Sequence, residues 1–363
     1  MDRLSLVHAL QSAGHEPLEI AGQNGTLVAL AYGARILGLF AGDRPNLLWA
    51  QPSLANAETA VEFFAAPGWR NTGGDRIWIS PERDLHVRDL TDAWRSYQFQ
   101  DSIDPGKYEL VRTESEIRFT TRTSVVHHRA ERSCGIELSK QFRLAPNPLR
   151  SDPGARWLLA GTQYAGYEQL TQLRYAGAES DFRPALSIWE AVNLPAPGQV
   201  FIPTVRETRA KDFFEPTGPS HLLHSDNCIR FVFDARERHK IAVRVTDLLG
   251  GRAGYYRKLD GEECTLVVRN FAIDPSAEYI DTPWDDPEDR GYVLQCYNDS
   301  GLNGAYGELE YHSPAMGNGT GRMECSDRAQ LWSFQGPQEL ILEIMRRLLG
   351  SALTNDLIRQ KVL

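Results

Sequence analysis

Strand-like segments dominate the hydrophobic pattern of this chain. Runs rich in β-branched and aromatic residues are separated in many places by glycine, proline, asparagine and aspartate, which favour turns. These runs predict strands over residues 25–40, 76–80, 116–128, 228–234, 240–249, 264–271 and 292–298. Because helices do not alternate with them, we expect large antiparallel sheets and an all-β fold.

Two stretches near the ends of the chain have helical spacing instead. The first runs from Leu4 to Ala13, with three apolar residues on one stripe and Gly14 placed to end it. The second begins at Pro337, carries apolar residues at positions 340, 341, 344, 345 and 348, and stops before Gly350. We expect both to be peripheral helices that pack an apolar face onto a sheet.

Length and composition are those of a globular protein with a sizeable core. The chain has 363 residues, of which 42% are hydrophobic and 24% charged. Residues 146–154 and 195–203 have the most linker-like composition, but strand character continues across both, so we interpret them as loops. We therefore expect a single domain over residues 1–363, with a boundary near residue 150 as the alternative.

Charge, apolar stretches and cysteine spacing predict whether the protein binds nucleic acid, where it is located and whether it forms disulfides. The net charge is −9 and no lysine or arginine run exceeds a pair, so nucleic acid is not expected to bind. No apolar stretch is long enough to span a membrane, and the first residues lack the pattern of a signal peptide, so we predict a cytoplasmic protein. Five widely spaced cysteines without a CxxC pair predict buried free thiols.

The most specific chemical signal is GELEYHSP at residues 307–314. Side chains alternate between the two faces of a strand, so Glu308, Glu310 and His312 would share one face while Leu309 and Tyr311 take the other. Two carboxylates and an imidazole on one face could supply a general acid and base, because neighbouring like charges raise a carboxyl pKa. The alternative is an exposed polar face.

A second signal is TGGDRIWISPE at residues 72–82. After a turn at two glycines, Arg76 and Trp78 share one strand face, and Glu82 follows the strand. A guanidinium can donate to sugar hydroxyl and ring oxygens while an indole covers the apolar C–H face of a sugar. A buried tryptophan beside a structural ion pair would give the same pattern.

A third group of candidates combines aromatic and charged residues in segments interpreted as loops. These segments are residues 189–203, which begin at Trp189, and residues 211–216, which begin at Lys211 and Asp212. The histidines at 127, 128, 221 and 224 could join a metal site with the 308–312 residues, but their spacing does not require one, so no metal site is predicted. The acidic stretch 281–289 is interpreted as a solvated turn.

Together these patches resemble the galactose mutarotase-like (aldose 1-epimerase-like) superfamily, and most closely its bacterial branch of mutarotase-like domains. The resemblance rests on GARILGLF, NLLWAQP, TGGDRIWISPE, VLQCYNDS and GELEYHSPA, and it covers about residues 20–350. It implies a super-sandwich of large antiparallel sheets with a few peripheral helices and a sugar site in a concave face. By the same resemblance, Glu308 or Glu310 would be the catalytic base and Arg76 would hold the sugar.

The function that the resemblance implies is the interconversion of the anomers of a hexose or sugar derivative, without a metal or organic cofactor. The family's acid is a histidine in an HPYF-like motif, which does not carry over to SIWEAVNLPAPGQVFIP at residues 187–203, so His312 is the replacement candidate. A small-molecule carbohydrate is the expected partner of a monomer or homodimer. The alternatives are a non-catalytic sugar-binding or sensing domain and a carbohydrate hydrolase or lyase.

Overall fold

Strands form most of the regular secondary structure of this computed structural model, which describes residues 1–177 and 181–350. The helices are α1 (Arg3–Ser12), α2 (Ala57–Ala65), α3 (Glu82–Leu85), α4 (Ala93–Ser96), α5 (Arg156–Gly161) and α6 (Gln338–Leu349). The first ten strands are β1 (Pro17–Gly22), β2 (Gly25–Leu30), β3 (Arg35–Phe40), β4 (Asp75–Ser80), β5 (Glu109–Arg112), β6 (Ile117–His127), β7 (Arg132–Leu144), β8 (Gln163–Tyr175), β9 (Ser187–Pro195) and β10 (Gly198–Pro203). The others are β11 (Lys211–Asp212), β12 (Leu222–Ser225), β13 (Cys228–Phe233), β14 (His239–Arg244), β15 (Arg252–Lys258), β16 (Glu263–Phe271), β17 (Tyr292–Asn298), β18 (Tyr306–His312) and β19 (Glu324–Pro337).

The strands form two large sheets. The front sheet has nine strands in the order β1-β2-β3-β4-β9-β18-β17-β14-β11. The back sheet has ten, in the order β12-β13-β10-β15-β16-β19-β8-β7-β6-β5. All the strand pairs within both sheets are antiparallel, which confirms the predicted all-β class.

The main hydrophobic core lies between the sheets. Ile77 and Leu309 of the front sheet belong to the same buried cluster as Phe119 and Phe142 of the back sheet. Two smaller clusters lie on the outer faces, where α1 covers β2 and β3 and where α6 covers β16 and β19. Both helices that the sequence predicts are therefore present, and each packs its apolar side on a sheet.

Three segments differ from the sequence predictions. The strand predicted over residues 240–249 ends at Arg244. Residues 25–40 form two strands rather than one, because Gly33 (φ +76°) and Ala34 (φ +47°) take left-handed conformations that turn the chain. The expectation of loops at residues 189–195 and 198–203 was wrong, since these form β9 and β10. Prolines are typical of loops, which is why a loop was predicted here. In the structure they stand at the ends of these strands and between them, where strand pairing does not need the N–H that proline lacks.

The interior also holds a layer of charged side chains. The Arg269 guanidinium pairs with Asp75 at 2.5 Å, and both side chains are inaccessible to solvent. From the back sheet, the Lys140 ammonium donates to the carbonyl oxygens of Gly33 (3.1 Å) and Ile77 (3.3 Å) in the front sheet. These bonds satisfy charges that would otherwise be costly to bury.

The five cysteines are buried and unbridged, as the sequence predicts. Within residues 1–177 and 181–350, no helix has the length and apolar character that crossing a membrane requires.

Candidate functional site

A cavity of about 290 Å³ lies against the outer face of the front sheet, on the side opposite the core. Strands β4, β9, β14, β17 and β18 contribute its floor, and the segments between strands contribute its walls. Nine of the lining residues are aromatic: Trp69, Trp78, Trp94, Tyr97, Phe99, Trp189, Phe214, Tyr297 and Tyr306. The charged lining residues are Arg76, Glu82, Arg238, Lys240, Glu308 and Glu310.

Strand β18 presents its two faces to two different environments. Glu308 and Glu310 line the cavity, whereas Leu309 and Tyr311 belong to the core between the sheets. The pleat of a strand places alternate residues on opposite faces, which is the arrangement that the sequence predicts for this segment. The same alternation on β4 places Arg76 in the cavity and Ile77 in the core.

Strand register brings residues that are distant in sequence into one row. Glu310 of β18 lies opposite Ala191 of β9, which lies opposite Arg76 of β4. The small side chain of Ala191 thus stands between two long charged ones. In an adjacent row Glu308 lies opposite Asn193 of β9.

Arg76 and Glu308 form a buried bidentate ion pair. The two terminal nitrogens of the Arg76 guanidinium each donate to one Glu308 oxygen at 2.8 Å, and the Asn193 amide donates to the same carboxylate at 2.9 Å. The Glu308 carboxylate raises the pKa of Arg76, although burial opposes this effect. Both Glu308 oxygens are therefore occupied by protein donors, and this carboxylate is held as a fixed acceptor.

Glu310 has a different environment. Its Oε2 accepts a hydrogen bond from Trp189 Nε1 at 2.7 Å and lies 3.3 Å from the Lys240 ammonium. Among the described residues, none donates a hydrogen bond to Oε1. Burial raises the pKa of Glu310 to about 7, and the opposing effect of Lys240 is smaller. Glu310 is thus a carboxyl group on the cavity floor whose pKa lies near neutral pH.

Lys240 connects Glu310 with a third carboxylate. Its ammonium lies 3.2 Å from Glu82, which also accepts a hydrogen bond from the Tyr97 hydroxyl at 2.9 Å. Burial lowers the pKa of Lys240, but the carboxylates of Glu310 and Glu82 outweigh that effect and raise it. At neutral pH, Lys240 is therefore a protonated donor in contact with the glutamate that titrates there.

His312 shares the strand face of the two glutamates but is not among the residues that line the cavity. The ring is fully buried, its Nδ1 lies 3.1 Å from Ser80 Oγ, and its plane stacks on Trp189. Burial and the Lys240 charge hold its pKa well below the usual range. A neutral imidazole behind Trp189 is poorly placed as the proton donor that we expected from the sequence.

The predicted binding residues divide between the cavity and a neighbouring pocket. Trp78, Glu82 and Trp189 line the cavity together with Arg76. Lys211 and Asp212 instead line the neighbouring pocket, where Lys211 lies 3.2 Å from Asp289. The structure therefore does not bring these last two residues into the same cavity as Glu310 and Lys240.

One group among the described residues has a composition that could hold a metal ion. The ligand atoms of His221, Glu237 and His239 lie within 4.8 Å of one another. Of the histidines considered from the sequence, only His221 belongs to it, and His221 already bonds Asp234 at 2.9 Å. Neither Glu308 nor Glu310 contributes to this group.

Several cavity residues escaped the sequence analysis. Lys240 is the second residue of the apolar strand β14 and resembles an ordinary polar strand end. Trp94 lies in the four-residue helix α4 and Tyr97 directly follows it, so neither belongs to a segment long enough to show a periodic pattern. Asp281, predicted in a solvated turn, is inaccessible to solvent and accepts the Glu82 backbone N–H at 2.7 Å. The aromatic residues between positions 94 and 99 were the one available signal, since exposed aromatic clusters favour binding surfaces.

Comparisons with known proteins agree with this architecture. The model of a family described as "Family of unknown function (DUF6786)" matches residues 56–359. A sequence comparison with curated proteins finds no match. An Escherichia coli structure provisionally assigned as an aldose 1-epimerase is 12% identical with a TM-score of 0.50, over 88% of this chain and 99% of that one.

Two further solved structures are similar over most of the chain. An aldose epimerase homologue from C. elegans is 11% identical with a TM-score of 0.40, over 89% of this chain and 99% of that one. The galactose 1-epimerase of Lactobacillus acidophilus is 10% identical with a TM-score of 0.43, over 87% and 93%. The similarity to the E. coli structure shows a galactose mutarotase-like sandwich fold, and at this identity it shows the fold alone.

Proposed function

We propose that this chain, which belongs to the family of unknown function DUF6786 and has a galactose mutarotase-like fold, binds a monosaccharide in the cavity and interconverts its anomers. The observation that carries this proposal is the contact between Glu310 and Lys240 on the cavity floor, where a carboxylate with an unoccupied oxygen lies 3.3 Å from an ammonium. Such a pair can accept one proton and donate another during a single reaction.

The cavity has the mixed character that sugars require. Aromatic rings such as Trp78 and Trp94 can cover the apolar C–H faces of a pyranose. The Arg76 guanidinium lies over the Trp78 ring at 4.0 Å, so a charged donor and an apolar surface are adjacent. Fixed donors and acceptors beside aromatic rings support a polyhydroxylated ligand rather than a purely apolar one.

The proposed reaction needs only two proton transfers. Glu310 removes the proton of the anomeric hydroxyl while Lys240 donates a proton to the ring oxygen, and the bond between the ring oxygen and C1 breaks to give an open-chain aldehyde. After rotation about the C1–C2 bond, the chain oxygen attacks the other face of C1, Lys240 recovers its proton, and Glu310 returns its own. No atom or electron is gained or lost.

Charge balance supports the choice of these two residues. Before the transfer the pair is a carboxylate and an ammonium, and after it the pair is a carboxylic acid and an amine, so the net charge of the buried site does not change. In a site of low dielectric constant, a step that creates no net charge avoids a large desolvation cost. Glu308 is less suited to act as base because Arg76 and Asn193 occupy both its oxygens.

A specific observation favours one alternative, a sugar-binding domain without turnover. Among the described residues that line the cavity there is no histidine, and His86 and His312 lie behind the rings of Trp78 and Trp189. If Lys240 remains paired with Glu82 and Glu310 when sugar binds, the cavity would recognise a sugar without opening its ring.

Saturation-transfer NMR on a panel of aldoses separates these functions. We expect the protein to accelerate exchange between α and β anomers of at least one sugar, and Glu310→Gln to reduce the rate about 10²-fold or more. The matched control is Glu62→Gln, which makes the same change on an exposed residue of α2. Calorimetric sugar binding with no acceleration would establish the binding domain instead, and neither binding nor exchange would refute both.

A further inference from the structure

Arg238 is the one cationic side chain of the cavity that makes neither an ion pair nor a hydrogen bond with any of the described residues. Arg76 is neutralised by Glu308, and Lys240 lies between Glu82 and Glu310. Arg238 is partly buried, its guanidinium lies 4.1 Å from the centre of the Trp94 ring, and it makes no ion pair or hydrogen bond with any described residue. A partly desolvated guanidinium without an acceptor favours an anionic ligand.

A second donor lies at the same end of the cavity. Strand register places His239 opposite Asn298, and Asn298 opposite Gly307. Arg238 and Tyr306 each stand one residue beyond this row, so they share one end of the front sheet. Both side chains line the cavity, and no described residue accepts a hydrogen bond from the Tyr306 hydroxyl.

The nearby carboxylates do not satisfy these donors. Asp299 is fully buried and accepts hydrogen bonds from the Tyr297 hydroxyl (2.9 Å) and the Gly301 backbone N–H (2.7 Å). Arg238 also borders the neighbouring pocket, which contains three acidic side chains, but none of them lies within 4.0 Å of its nitrogens. The charged group at this end of the cavity that is left without a hydrogen-bond partner among the described residues is therefore a donor, the Arg238 guanidinium.

The distance from these donors to the acid–base pair suits a single sugar. Tyr306 and Glu310 are four residues apart on the same face of β18, so their Cα atoms are separated by roughly 13 Å along the strand. A monosaccharide whose anomeric centre faces Glu310 would direct its far end toward Arg238.

We propose that the sugar carries an anionic group, a carboxylate or a phosphate, which Arg238 and Tyr306 bind at the end of the cavity remote from Glu310. This inference rests on the proposed function, because it specifies the substrate class of the same cavity. The shared chemistry is an acceptor-rich anion at the end of the sugar opposite its anomeric carbon. Arg238 is then a specificity-determining residue, whereas Glu310 and Lys240 act on the ring.

Isothermal titration calorimetry with matched sugars tests this class. The probes are glucose, galactose and mannose, their 6-phosphates and their uronates, all at 150 mM salt, with inorganic phosphate as the control for the anion alone. We expect an anionic sugar to bind on the order of 10-fold or more tightly than its neutral parent, since hydrogen bonds to charged groups contribute most. The phosphate and uronate arms identify which anion the site takes.

Three variants assign the preference to Arg238. Arg238→Gln should reduce the affinity for the anionic sugar to within about twofold of the neutral one, and Arg238→Lys should keep part of the preference. Arg236→Gln, an exposed neighbour two residues away, should leave it unchanged. Thermal unfolding of each variant verifies that the fold is retained.

The outcomes separate the two proposals. Equal binding of neutral and anionic sugars, or an equal loss of both in Arg238→Gln, would overturn the anionic class, while anomer exchange of neutral sugars would leave the proposed function intact. If inorganic phosphate binds as tightly as the sugar phosphate, the proposal of an anionic sugar would also be overturned, because the site would then recognise the anion without the sugar. If no sugar in the panel binds, both proposals fail.

Discussion

Lys140 couples the stability of this protein to pH. Its ammonium is buried between the sheets and donates to the carbonyl oxygen of Ile77, on the strand that also carries Arg76 into the cavity. Burial lowers the pKa of Lys140 from 10.5 to about 7, with a partial opposing effect from Asp104 and a smaller lowering effect from Arg35. A lysine with a lowered pKa in the folded state binds its proton more tightly in the unfolded chain.

The sign of the effect follows from that difference. Between pH 7 and pH 10.5 the unfolded chain holds more protons at this residue than the folded protein, so the free energy of unfolding rises with pH. At about 1.4 kcal/mol per pKa unit, the whole shift corresponds to roughly 5 kcal/mol, of which about 2 kcal/mol is recovered between pH 7 and pH 9. Replacing the lysine by methionine removes this contribution.

Urea unfolding at several pH values measures the effect directly. We expect the free energy of unfolding of the wild type minus that of Lys140→Met to rise by about 2 kcal/mol from pH 7 to pH 9. The matched control is Lys107→Met, where the lysine is exposed and the difference should stay constant. If the free energy of unfolding of the wild type minus that of Lys140→Met does not change with pH, the ammonium is not destabilised by burial and the reasoning is refuted.

Two further predictions concern the cavity. Arg76→Met should lower the free energy of unfolding by about 3–5 kcal/mol because it leaves the buried Glu308 carboxylate unpaired, while the double variant with Glu308→Gln should lose less. Urea unfolding with Arg95→Met, an exposed arginine, as the control measures this, and equal losses in the single and double variants would contradict it. The value of kcat/KM for anomer exchange should rise with pH through about 7, because Glu310 acts as a base only when deprotonated and burial raises its pKa to that value. A pH-independent kcat/KM from pH 5 to pH 9 would exclude Glu310 as the base.

Periodicity predicted the parts of the site that regular strands position. The alternation in residues 307–314 assigned Glu308 and Glu310 to one face, and the same rule placed Arg76 on the cavity face of β4. Their contact across β9 could not be predicted, because strand order and register depend on long-range pairing that a local pattern does not encode. The choice between the two glutamates likewise required the positions of Arg76 and Lys240.

The sequence pattern did not predict which side chains reach the cavity when this depends on how far the cavity extends along a strand or on the path of an irregular segment. His312 has the face that alternation predicts, yet it lies behind Trp189 because it is further along the strand than the cavity extends. Lys211 and Asp212 belong to a two-residue strand at the sheet edge and reach only the neighbouring pocket. Tyr97 contacts Glu82 from a segment without any periodic pattern, so only the tertiary structure shows its role.

The pairing register of β18 determines both which of its residues enter the core and which of them face the cavity. A slip of one residue in its pairing with β9 or β17 would turn Leu309 and Tyr311 into the cavity and bury Glu308 and Glu310 between the sheets. A chain with that shifted register would lose its apolar core contacts and the contact between Glu310 and Lys240 at the same time. The hydrophobic effect that stabilises this strand therefore also fixes the placement of the glutamates, and molecules with a shifted register would be unstable as well as unable to present these carboxylates to the cavity.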